Sequence, residues 1–177
     1  MMRRFLVGGL ILVALGAGAS GDDKPGKAAA AAAHPGLERL KKLAGTWVAA
    51  DDAGKPTDQV VSVIKVTAAG SAVQETLFPG SDHEMVTMYH LDGKDLVLTH
   101  YCMLGNQPRM RAEPSKDTSK IAFKFIGATN LKSNDDQHMH EATLTIVGKD
   151  HIQAKWVACK DGKGCHEVSF DLARKLK

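Results

Sequence analysis

The stretch HMHEATLTIV-GKD-HIQAKWVAC-KDGKG-CHEVSFDLARK, residues 138–175, decides the fold. Within it, Ile152, Ala154, Trp156 and Ala158 alternate with Gln153 and Lys155. Val168, Phe170 and Leu172 alternate with Glu167, Ser169 and Asp171, and Ala142, Leu144 and Ile146 follow the same rule. A period of two marks an extended strand with one apolar face. The interruptions at 148–150 and 161–164 are Gly-bearing and of hairpin size. Three strands joined by two tight turns make an antiparallel meander.

The same grammar extends back to residue 46. Short runs rich in Val, Thr, Ile and aromatics fall at 46–50, 59–67, 71–78, 84–90, 96–103, 109–113, 120–126, 138–147, 151–159 and 165–175. Ala69-Gly70 and Asp92-Gly93 supply further turns, and no run is followed by a long helix, which excludes a parallel sheet. A ten-run meander lowers its edge liability by closing on itself. The expected fold is all-β: a single antiparallel up-and-down β-barrel of about ten strands with a short N-terminal helix. That helix is read at 35–43. Pro35 suits a first turn, Leu37, Leu40 and Leu43 recur every three residues, and Lys41 and Lys42 favour the C-terminal end.

The N-terminal segment has a different character. Arg3 and Arg4 precede an uncharged apolar run at 5–17, and Ala17-Gly18-Ala19 offers a small-x-small cleavage site. The run is too short to cross a ~30 Å hydrocarbon core. Residues 1–19 are therefore read as a signal peptide, 20–34 as a flexible linker of Gly, Lys, Pro and Ala, and 35–177 as the domain. The expected location is periplasmic or secreted. Removing Arg3 and Arg4 leaves 21 Lys and Arg against 20 Asp and Glu, and no basic patch argues for nucleic acid.

Cys159 and Cys165 flank the last turn and can pair in an oxidising compartment, with two free thiols as the other reading. Cys102 is the odd one, a small buried hydrophobe more often than a nucleophile.

The segment Leu40-x-x-Leu43-x-Gly45-x-Trp47 lies just before the first strand. A short helix followed by Gly-x-Trp resembles the entry of lipocalin and fatty-acid-binding barrels, the calycin superfamily. Ten strands bring the chain nearest to the ten-stranded, nitrobindin-like members. The central stretch, from Phe78-Pro79-Gly80 through His83–His90 and Leu98–Cys102 to Gly105–Met110, is similar to an uncharacterised secreted bacterial lipocalin-like family. The resemblance covers roughly residues 37–175 and implies fold and export without an activity. It also implies that a late basic residue, here Arg174, packs over Trp47 to close the barrel. Nitrobindins continue with glycines where this chain has Ala49 and Asp51. Their haem ligand is a late His, for which only His166 is placed, on the parity of Val168 and Phe170.

The lumen candidates follow from parity. Phe123, Phe125, Trp156 and Phe170 supply an apolar lining, and Met88, His100 and Tyr101 soft or polar contacts. Arg109 and Arg111 share one face of the sixth run. If inward, they form a fork for an acid headgroup, with Tyr89 or Tyr101 assisting and Glu75 or Glu113 as counter-charge. If outward, they are ordinary surface charges. His138 and His140 share a face and could share a metal, with His100 as a third ligand only if their strands neighbour or they meet across the lumen. Asn106 and Gln107 lie where a loop lines the barrel mouth.

No Gly-x-Ser-x-Gly, His-Glu-x-x-His or phosphate-loop motif is present. The expected function is therefore binding of a small apolar or amphipathic molecule in the lumen rather than catalysis. Two alternatives stay open: a haem or metal barrel using His166 or the His138/His140 pair, and a structural or interaction protein whose lumen is filled.

Overall fold

The computed structural model describes residues 33–133, 135–161 and 165–176. The segments read above as a signal peptide and, apart from residues 33 and 34, as a linker lie outside these residues. Helix α1 (Pro35–Lys42) is followed by β1 (Gly45–Ala50), β2 (Pro56–Thr67), β3 (Ala72–Leu77), β4 (Met85–Asp92) and β5 (Asp95–Tyr101). Then come β6 (Gln107–Ala112), β7 (Lys120–Thr129), β8 (His138–Gly148), β9 (His151–Cys159) and β10 (His166–Arg174). Every strand pairs with its sequence neighbours, and β1 pairs with β10, so ten antiparallel strands form a closed barrel. No helix among the described residues is long and apolar enough to cross a membrane.

The β1–β10 seam explains the Gly-x-Trp signature. Trp47 is opposite Arg174 in the register. The guanidinium of Arg174 lies 4.3 Å from the Trp47 ring centroid, a cation–π contact. The indole N–H donates to Leu43 O at 2.9 Å, satisfying one of the carbonyls left open at the end of α1. Arg174 also donates to Ala44 O at 2.8 Å and to Asp150 at 3.0 Å. Gly45 has φ 144°, and a Cβ there would sit 2.7 Å from Arg174 Nη1. The backbone conformation requires glycine, and a Cβ would in addition push the Arg174 guanidinium aside.

Helix α1 begins on His34, whose Nδ1 accepts from Gly36 N. Its apolar face, Leu37 and Leu40 with Leu43 just beyond, is buried in the main core cluster. That end of the barrel is therefore capped. Inside, Leu96, Leu98, Met110, Phe123, Ile152 and Leu172 are fully buried, so side chains fill the helix-proximal part of the lumen. Burial of such side chains is the dominant favourable term in folding. At the opposite end, Val168 shares the lumen face with Trp156 by register yet is 40% exposed.

Cys159 and Cys165 form a disulfide between β9 and the start of β10, six residues apart in sequence. Cys102 is free and buried. Because the bridged loop is short, reduction is expected to cost about 2 kcal/mol in the chain-entropy account. Urea unfolding of Cys159→Ser/Cys165→Ser against wild type checks this; a loss above about 4 kcal/mol would show that the bridge does more than constrain the unfolded chain.

Candidate functional site

The lumen wall carries one polar array, built by register on four adjacent strands. On β3, Val73, Glu75 and Leu77 share the buried face, so a carboxyl sits among apolar side chains. Glu75 is opposite Ile64 of β2 and Thr87 of β4, and Thr87 is opposite His100 of β5. Ser62 Oγ donates to one Glu75 oxygen at 2.7 Å, and Tyr89 Oη donates to the other at 2.7 Å. Burial pushes the Glu75 carboxyl above the usual carboxylate range, against the pull of these two hydrogen bonds. Burial, and then the neighbouring Glu75, hold the Tyr89 phenol well above its ordinary value.

His100 is 1% exposed. Its Nδ1 lies 2.9 Å from Thr87 Oγ1, while Nε2 is buried without a partner. Desolvation lowers its pKa to about 4, so the ring is neutral near pH 7. Its ring centroid is 4.7 Å from that of Trp156, which reaches over from β9. Two further ring pairs span the interior: Tyr89 with Phe123 at 5.7 Å, and Phe78 with Phe170 at 5.7 Å.

His138, His140 and Phe125 form a second cluster. The Phe125 centroid lies 4.4 Å from that of His138 and 5.1 Å from that of His140. His138 Nδ1 lies 2.8 Å from Asp136 O, and its Nε2 lies 3.1 Å from His140 Nδ1. A carbonyl only accepts, so Nδ1 of neutral His138 carries the proton. Its Nε2 then accepts from His140 Nδ1–H. Burial, then the neighbouring His138, lower the His140 pKa. The pair spends two ring nitrogens on each other. Among the described residues no group of three or more His, Cys, Asp or Glu is placed to hold a metal ion.

The other lumen candidates separate by parity and exposure. Phe123 and Trp156 are buried in the core, and Phe170 packs against it, partly buried. Arg109 and Arg111 are not in the lumen. Pro108 and Met110 take the buried positions of β6, which turns both arginines outward with side chains 43% and 52% exposed. They meet Asp92 at 3.4 Å and Asp95 at 3.3 Å, on and beside the β4–β5 turn. An inward guanidinium would have had to be stripped of water, whereas an exposed pair needs no such compensation. Met88 shares the outer face with Gln74 and Thr99, and Tyr101 is 50% exposed. His166 is exposed at the start of β10, opposite Ala158 in the register. At the mouth, Asn106 Nδ2 donates to Gln137 O at 2.9 Å, while its buried Oδ1 has no partner.

Grooves of about 700 Å³ beside α1 and about 670 Å³ on the outer face of β7–β10 indent the surface. Neither holds a buried polar atom without a partner; those two atoms are His100 Nε2 and Asn106 Oδ1. The Ser62–Glu75–Tyr89 group was not assembled by sequence reasoning. Its signal was present: Glu75 shares parity with Val73 and Leu77, an acid on an apolar face. No known protein-family profile matches the chain, and no curated protein is significantly similar to it.

Proposed function

We propose that the protein is an exported binding barrel of calycin type that takes a small, mainly apolar molecule into the mouth-side part of its lumen. The observation that carries this reading is His100 Nε2, a hydrogen-bonding atom on the lumen face, fully buried and without a partner. A buried polar group left open is costly and asks for a partner. Trp156 beside it gives an aromatic surface for an apolar body, and the exposure of Val168 marks the route in. Export accords with the cleavable-type leader in the sequence and with the disulfide.

Binding without chemistry is the reading favoured by the hydroxyls. Ser62 touches an acid but no base, and Thr87 touches a histidine but no acid is bonded to that ring. An acyl-transfer nucleophile needs both. Burial pushes the Cys102 thiol up, away from thiolate chemistry. A second reading, a lumen closed by its own packing, is favoured by the ring pairs that span the interior.

Titration with the neutral apolar fluorophore N-phenyl-1-naphthylamine separates the two. The chain has two Trp, and Trp156 lines the proposed site. A binding lumen gives saturable one-to-one uptake with energy transfer from indole to probe, and Trp156→Phe sharply reduces that transfer. Absence of saturable uptake would leave the packed-lumen reading standing.

A further inference from the structure

We propose that the lumen selects a ligand bearing a protonated amine, that Glu75 meets this amine, and that carboxylic acids are rejected. This rests on the lumen-binding reading above and names the ligand class for it.

Glu75 is buried, and both of its hydrogen-bond donors, Ser62 and Tyr89, are neutral. The ion pairs of the described residues use Glu38, Asp92, Asp95, Glu141, Asp150, Glu167 and Asp171, but not Glu75. The buried polar side chains are Ser62, Glu75, Thr87, His100, Asn106 and His138, with no Lys or Arg among them. The wall of the described barrel thus offers one carboxyl and no fixed cation. A buried carboxylate without a counter-charge is strongly disfavoured, and each of its oxygens keeps a lone pair beyond the bond it already accepts. An ammonium supplies the missing charge and donates to those lone pairs. A carboxylate ligand would instead bring a second negative charge into a low-dielectric space, next to the first. The raised pKa of Glu75 is consistent with a carboxyl that lacks such a partner.

His100 sets the other end. If the Thr87 hydroxyl donates to Nδ1, both of those atoms are satisfied and only the Nε2–H is left open. The opposite tautomer leaves both the hydroxyl proton and Nε2 unmet, so the first is favoured. Glu75 and His100 are separated by Thr87 across two strand spacings, about 10 Å. The ligand that fits has an apolar body, an amine for Glu75 and a hydrogen-bond acceptor for His100.

The test is isothermal titration at pH 7 of wild type and Glu75→Gln with decylamine, decanol and decanoic acid. The amide has nearly the shape of the carboxyl; it removes the charge and turns one acceptor oxygen into a donor NH2, which the Ser62 hydroxyl can meet by rotating to accept. The expected result is decylamine at least about tenfold tighter than decanoic acid on wild type, with that advantage lost in Glu75→Gln and decanol unchanged. Tyr89→Phe removes one donor but no charge and keeps the amine preference. Equal or tighter binding of decanoic acid, or amine affinity untouched by Glu75→Gln, overturns the proposal. Loss of the preference in Tyr89→Phe would assign it to the phenol and overturns it too. Decanol binding with no preference for the amine leaves the lumen reading intact and sinks only this inference. No binding of any of the three removes both.

Discussion

Trp47→Ala is expected to lose about 4 kcal/mol of stability, a large share of what a domain of this size has in reserve. The side chain is fully buried at the helix-proximal end of the β1–β10 seam, where the meander closes. Three things go together when it is removed. The core gains a cavity of aromatic size, Leu43 O loses the indole N–H, and Arg174 loses the ring beneath its guanidinium. Arg174 is tied to Lys42, Ala44 and Lys149 carbonyls as well as to Asp150, so the seam and the helix end loosen as one unit. Arg174→Ala alone should cost less, and the double mutant should fall short of the sum by about 0.5–2 kcal/mol, the cation–π coupling. Urea unfolding of the four members of the cycle reads this directly. A Trp47→Ala loss under about 1.5 kcal/mol would mean that the barrel is not held at this seam.

Acid is expected to weaken the fold through His100. Its folded-state pKa, about 4, lies below the ordinary 6.5, so between those values the unfolded chain binds the proton and the folded chain does not. Stability from this group is therefore fully present above pH 6.5 and lost as pH falls toward 4, by about 3 kcal/mol over the window. His140 acts in the same direction because its pKa is also lowered. Glu75 acts in the opposite direction. Its raised pKa means that protonation favours the fold, so it offsets part of the loss as pH falls toward 4.5. Comparison with His100→Gln isolates the histidine. The wild-type advantage at pH 7 should shrink steadily below pH 6.5. A constant gap from pH 7 to pH 4 would show that His100 titrates alike in both states.

Much of the barrel was legible because alternation is a local property. The run at 151–159 coincides with β9, and the other runs with strands shifted by up to three residues at an end. Facing was less secure where strands are short or bulged. Arg109 and Arg111 flank Met110, and the parity of Pro108, Met110 and Ala112 already implied that the arginines point outward. Their chemistry as a possible acid fork kept the inward reading open. The register slips between Met139 and Glu141 and again at Arg109/Met110 leave no mark in composition, so the relation of His138 and His140 to the facing strands was not readable. The approach of His100 to Trp156 depends on barrel closure, which joins residues 56 positions apart. Exposure was equally hidden: His166 has the parity of the lumen face but lies at the start of its strand, in solvent.

Native mass spectrometry of the chain purified under non-denaturing conditions from the cell that makes it tests the central claim most directly. The account predicts one small basic molecule bound per polypeptide, largely lost when Glu75→Gln is expressed in the same cell. A polypeptide that carries nothing, or one that carries a fatty acid equally well in both forms, would contradict it.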